Sequence, residues 1–158
     1  MTVSRLIGLT LVLMTGFLAG CATDAMKDTP TPTRDRSAAG PTLYQRLGEK
    51  PAITAVVDDF VARVAADSRI NARFANTNIP RFKQNLVDQI CAASGGPCTY
   101  TGRDMKTAHA GMGINNAEFD ALVEDLIAAL NKFKVGEREK NELLSVLGPM
   151  RKDIVERP

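Results

Sequence analysis

The sequence predicts an all-α domain behind an amino-terminal extension. Apolar residues recur at helical spacing from Leu43 to Ile154, and no segment in that stretch alternates as a strand does. The first 41 residues carry no such period, and no long-range repeat is visible. The chain divides into a leader at 1–20, a tether at 21–41 and a folded domain at 42–158. The last has roughly 115 residues, an ordinary single-domain size.

Leu43, Tyr44 and Leu47 mark a short first helix that ends near Gly48. Pro51 fits the first position of a second helix, in which Ile53, Val56, Val57, Phe60, Val61 and Val64 share the helical period. Pro80 restarts the pattern with Phe82, Leu86, Ile90 and Ala93, and Gly95-Gly96-Pro97 stops it. Met105 to Ala110 is long enough for a short helix before Gly111 and Gly113, glycines that allow an abrupt end and a close approach to a flat ligand. Asn115 with Glu118 three residues on predicts a capping box, followed by Phe119, Leu122, Val123, Leu126, Ile127 and Leu130. Gly136 opens a last helix with Leu143, Leu144, Leu147, Met150 and Ile154, which Pro149 should kink.

The extension reads differently. Arg5 is a positive start, and Leu6 to Leu18 is an apolar run too short for a comfortable span, which needs roughly 20 residues. It reads as a signal-peptide core. Its end, Leu18-Ala19-Gly20-Cys21, resembles the bacterial lipobox, in which the cysteine becomes the first mature residue and receives lipid. Ala22 after it resembles known sorting signals, and that resemblance implies the outer membrane, facing the periplasm. Thr23 to Pro41 holds Pro30, Pro32 and Pro41 with mixed charge and no apolar period, as a flexible tether would. The expectation is a lipid-anchored protein of the cell envelope.

Composition narrows the chemistry. With 20 Lys and Arg against 18 Asp and Glu, the formal charge is +2, and no basic stripe with interleaved aromatics occurs, so nucleic acid is not an expected partner. His109 is the only histidine, which excludes a polyhistidine metal cluster within one chain. Read on its own, a lone histidine is as a rule a hydrogen-bonded bystander. Cys91 and Cys98 flank the glycine turn, with Cys91 about 140° around the helix from Leu86. In an oxidising compartment the pair favours a disulfide over free thiols. Two thiols and a distant histidine make a poor zinc site, and no Cys-x-x-Cys-His occurs.

Several runs taken together change the reading of His109. Leu43-Tyr44-Gln45-Arg46-Leu47-Gly48, Ala52-Ile53 and Val56-Val57-Asp58-Asp59-Phe60 resemble the opening of a group I truncated haemoglobin. Phe74 with Asn76-Thr77-Asn78 and Gly95-Gly96-Pro97 resemble the flanks of that family's distal helix. Tyr100-Thr101-Gly102-Arg103, Met105-Lys106, His109 and Gly113-Ile114 resemble the run around its proximal histidine, the most specific piece. The match runs from Thr42 to about Val155.

The resemblance implies a two-over-two helical sandwich around haem b, with His109 as the iron ligand and its other ring nitrogen held by a backbone carbonyl. Phe74 would pack on the haem. Val61, Phe82, Leu86 and Ile90 would line the distal side, and Met105, Ile114, Phe119 and Leu122 the proximal and rear walls. Many relatives place Tyr and Gln where Val61 and Leu86 stand, so the distal side here is expected to be apolar. A missing donor forfeits roughly 1–3 kcal/mol of stabilisation for bound oxygen. That weakens the case for nitric-oxide dioxygenation and leaves CO and NO binding intact. Gln89 lies near Leu86 on the same helix. Gly48-Glu49 stands where relatives often have two glycines, and one glycine is expected to make the turn.

The leading expectation is reversible binding of a diatomic gas at five-coordinate iron, with a reductase as a further partner. Electron transfer, with Met105 or Met112 as a second axial ligand, and a cofactor-free helical interaction module are the alternatives.

Overall fold

Residues 40–157 are described by the computed structural model of the protein. The leader, Cys21 and the tether up to residue 39 lie outside the described residues. Thr42 caps α1 (Leu43–Arg46). Its hydroxyl accepts from the Gln45 amide, and the Gln45 side chain accepts from the Thr42 amide. The remaining elements are α2 (Glu49–Ala66), a 3₁₀ turn (Asn71–Phe74), α3 (Ile79–Ala93), α4 (Met105–His109), α5 (Asn116–Lys132), α6 (Glu137–Leu147), a second 3₁₀ turn (Gly148–Met150) and α7 (Arg151–Ile154). The described residues hold no strand, only an isolated bridge between Asn115 and Arg157. None of their helices is long and apolar enough to cross a membrane.

The helix boundaries follow local chemistry, with three departures from expectation. The reversal between α1 and α2 takes two left-handed residues, Gly48 at φ 88° and Glu49 at φ 63°. An L side chain in that region costs about 1–2 kcal/mol, so the second position is better suited to glycine than a one-glycine turn would require. Because α2 already begins at Glu49, Pro51 is its third residue, where its missing N–H still costs no helical hydrogen bond. Pro149 does not kink a continuous helix. It ends α6 at Leu147 and forces the 3₁₀ turn before α7. The other ends match. Asn78 caps α3 by accepting from the Arg81 amide at 3.0 Å, and Asn115 and Glu118 form the expected capping box on α5.

α2 packs against both α3 and α5. Its buried stripe, Ile53, Val56, Val57, Phe60, Val61 and Val64, meets Val87, Ile90 and Cys91 on α3 and Leu126, Ala129 and Leu130 on α5. α6 adds Leu143, and Arg46 ties α1 to α6 through Glu139 at 3.0 Å. A second, smaller cluster gathers Ile114, Phe119 and Ile154, with Met105, Met112 and Met150 against it. The chain thus builds two apolar clusters, one around α2 and one where α4, α5 and α7 meet.

Cys91 and Cys98 are bonded, with Cα atoms 5.7 Å apart. Cys91 is wholly buried on the core side of α3. The bridge therefore fixes the end of α3 to the segment that leads to α4. Closing so short a loop is worth about 2–3 kcal/mol in the chain-entropy account. Replacing both cysteines by serine should lower the unfolding free energy by about that amount, read from the urea midpoint of the oxidised protein. An unchanged midpoint would contradict the assignment of a stabilising role.

Candidate functional site

A cavity of about 350 Å³ lies between the two apolar clusters and draws its walls from both. α3 supplies Phe82, Asn85, Leu86, Gln89 and Ile90, joined by Phe60 and Phe74. α4 and its following loop supply Met105, Ala108, His109 and Met112. α5 adds Phe119, Leu122, Val123 and Leu126, and the carboxyl-terminal elements add Leu147, Met150 and Ile154. Arg73, Thr77, Tyr100 and Arg103 are its remaining polar members. A separate void of about 10 Å³ sits inside the main core and shares Ile90 with the cavity. It is barely the size of one water.

Eight of the ten expected cofactor contacts line this cavity: Phe74, Phe82, Leu86, Ile90, Met105, His109, Phe119 and Leu122. Val61 and Ile114 do not. Val61 shares a helical stripe with Val57 and Val64 and is buried in the main core, while its neighbour Phe60, about 100° around the helix, faces the cavity. Ile114 packs inside the smaller cluster, behind Phe119. Gly111 and Gly113 do not line the cavity either. Their glycine character serves the backbone, at φ 76° and 61°.

His109 is the last residue of α4, a helix started by Asp104, whose carboxylate accepts from the Thr107 amide at 2.9 Å. The Thr107 side chain, then this amide, hold the Asp104 carboxyl below its ordinary value. The His109 Nδ1 lies 2.7 Å from the Met105 carbonyl. A carbonyl only accepts, so Nδ1 carries the proton and Nε2 keeps its lone pair, without a hydrogen-bond partner among the described residues.

The loop after His109 is held from outside. Arg73 donates through Nη1 to the Met112 carbonyl at 2.6 Å and pairs through Nη2 with Glu118 at 2.7 Å. Arg157 Nε donates to the Gly113 carbonyl at 2.7 Å. Glu156 accepts from the Gly111 amide at 2.6 Å and from the Gly113 amide at 2.5 Å. Those two amides hold the Glu156 carboxyl below its ordinary value. The Asn115 amide, then Arg73, do the same for Glu118.

The α3 wall is less uniformly apolar than the sequence implies. Positions 82, 85, 86, 89 and 90 form one helical stripe, and two of them carry amides. The Gln89 amide donates to the Met150 sulfur at 3.3 Å and lies 3.6 Å from the Met105 sulfur. Asn85 makes no side-chain hydrogen bond among the described residues.

Residues 42–156 match the family model for bacterial-like globins. The group 1 truncated hemoglobin of Tetrahymena thermophila is 36% identical over 113 residues, covering 72% of this chain and 93% of that protein. This chain is a truncated globin. Its structure is similar to that of the Tetrahymena pyriformis truncated hemoglobin in its Fe(III) form, with a TM-score of 0.70 at 36% identity over 73% of this chain and 98% of the other. It is also similar to a Synechococcus 2/2 hemoglobin determined in the cyanomet state with covalently attached heme, with a TM-score of 0.69 at 32% identity over 74% and 100% of the two chains. The two-over-two helical arrangement is therefore shared. Haem-based binding of diatomic gases is the activity of this family.

The residues of this globin fit a haem. The cavity separates two apolar clusters that a flat apolar body would join. One wall carries an imidazole with a free Nε2. Exposed Arg103, which forms no ion pair among the described residues, and Thr77 suit the carboxylates that a haem carries at its edge.

The Arg73–Glu118 pair ties the loop after His109 to the start of α5, and its acid sensitivity has a definite sign. Glu118 sits below its ordinary value of 4.5, so it contributes stability that is present above that value and lost as pH falls through the lowered one. Urea unfolding at neutral and at acid pH should show a smaller acid loss in Glu118→Gln than in the wild type. Equal losses in the two proteins would count against Glu118, held by the Asn115 amide and Arg73, as an acid-sensitive group.

Proposed function

We propose that this globin holds haem b in the cavity through His109 alone and binds diatomic gases reversibly at five-coordinate iron. The observation that carries the reading is His109 itself. The one imidazole in the chain lines the cavity with Nδ1 committed to the Met105 carbonyl and Nε2 free. A backbone acceptor on Nδ1 orients the ring and raises the basicity of the ligating nitrogen. Ferrous haem supplies the open coordination position at which O2, CO or NO binds.

The protein's other residues define what surrounds that position. Phe82 and Leu86 lie on α3 with Phe74 tilted against Phe82, ring centroids 5.3 Å apart, and together they make an apolar face. The methionines of the cavity come from α4, its following loop and the second 3₁₀ turn, and α3 carries none. Met105 and Met112 flank His109 in the chain, which disfavours a second axial ligand from the opposite wall and with it the electron-transfer alternative. The Gln89 amide is engaged with sulfur and is not a free donor. Asn85 is the α3 amide left without a hydrogen bond among the described residues. With Val61 and Leu86 where many relatives have Tyr and Gln, oxygen should leave faster than from those relatives, while CO binding is little affected. A reductase able to return ferric iron to the ferrous state is the partner this chemistry needs.

Two variants test the reading. His109→Ala should lose specific haem binding, or recover it only with added imidazole. Leu86→Gln should slow oxygen release by about tenfold, the effect of one added neutral hydrogen bond. A His109→Ala protein with unchanged haem content and spectrum would refute the ligand assignment.

The anchor belongs to the same proposal. Cys21, at the end of Leu18-Ala19-Gly20-Cys21, is read as the lipidated first residue of a mature protein held at the outer membrane on the periplasmic side. Intact mass of the mature protein should show lipid on Cys21 and its loss in Cys21→Ser. A native mature protein with an unmodified Cys21 would overturn the anchor.

A further inference from the structure

We propose that Glu156 is a positioning residue for His109, clasping the loop that follows it so that the imidazole is held in place for iron. The inference rests on the reading of His109 as the iron ligand. It starts from a weakness in α4. Five residues make too little of a helix to hold its own end. Ala110, its carboxyl-terminal cap, is extended at φ −55° and ψ 128°, and the next amide, that of Gly111, belongs to a left-handed residue. The end of α4 is held locally by the bond from His109 Nδ1 to the Met105 carbonyl and by the Met112 amide, which donates to the His109 carbonyl at 3.1 Å, and both partners lie on the same short segment.

Glu156 supplies the missing constraint from the other end of the domain. Its side chain lies at the surface, yet both carboxylate oxygens are spent on backbone: Oε1 on the Gly111 amide and Oε2 on the Gly113 amide. Two glycine amides brought together by left-handed backbone make a concave, partly positive site that one carboxylate fills. Charge-assisted bonds of this kind are roughly twice as strong as neutral ones. The carboxylate is in turn fixed by its own backbone, because the Glu156 and Arg157 amides both donate to the Ile114 carbonyl, at 2.9 and 3.1 Å. Only Ala110 stands between Gly111 and His109, so a shift of the clasped amide is a shift of the helix end that carries the imidazole. Arg73 does not replace this contact, since it grips a carbonyl on the same loop and not the amides.

The test uses the full haem-loaded chain with Glu156→Ala and Glu156→Gln. The iron–histidine stretching band of the ferrous protein, read by resonance Raman, should shift or broaden in Glu156→Ala. Haem transfer to an acceptor globin should be about tenfold faster, the usual scale for losing a contact that orients a ligand. Amide exchange at Gly111 and Gly113 in the CO complex should rise by about tenfold or more. Glu156→Gln, which keeps one acceptor oxygen, should fall between. Glu142→Gln, which removes one of the two carboxylates paired with Arg46, away from the cavity lining, should leave all three readings unchanged. Faster exchange at the two glycines with an unmoved iron–histidine band and normal haem retention would overturn the proposal. So would unchanged exchange. A wild-type chain that takes up no haem would refute the functional reading itself, a result distinct from a loaded wild type beside an unaffected variant.

Discussion

An imidazole can serve as the single protein ligand of a haem only if its ring is held where the cofactor needs it. In this domain the ring stands at the end of a five-residue helix. So short a helix is not stable alone, and its position must be imposed by what surrounds it. Asp104 starts it, the Met105 carbonyl orients the ring, and Arg73, Arg157 and Glu156 grip the loop beyond. These contacts come from the first 3₁₀ turn and from the last described residues of the chain. The fold brings the first 3₁₀ turn and the carboxyl-terminal end of the domain to bear on one short segment, and the rest of the site depends on that.

The cavity imposes the second constraint. A well-packed core holds few voids larger than a water molecule, and about 350 Å³ is far beyond that scale. The two apolar clusters, one around α2 and one at α4, α5 and α7, meet across the hole, so a bound haem completes a core that the chain leaves divided. The Cys91–Cys98 bridge and the caps at Thr42, Asn78 and Asn115 stabilise the frame independently of that occupant.

What could be read from the sequence was what is local. Helical periods placed α2, α3, α5 and α6, the Asn115–Glu118 spacing gave a cap, and Cys91 and Cys98 lay close enough across a glycine turn to pair. The resemblance around Tyr100 to Ile114 singled out His109 where composition could not. Val61 lies off the cavity lining, in the main core, while its neighbour on the same helix, Phe60, faces the cavity. Arg73, Gln89 and Glu156 gained their meaning only from partners 39, 61 and 45 residues away. No period or motif encodes such pairings. Glu49 shows a subtler limit, since its left-handed backbone is a property of the turn and not of its residue type.

The central claim is that this chain is built around one haem held by one histidine. Titration of haem into the purified haem-free protein, followed by its absorption spectrum, tests it most directly. The account predicts saturation at one haem per chain, an intense Soret band, and a five-coordinate ferrous form that converts fully on adding CO. Uptake without saturation, or a six-coordinate ferrous spectrum in the absence of added ligand, would contradict it.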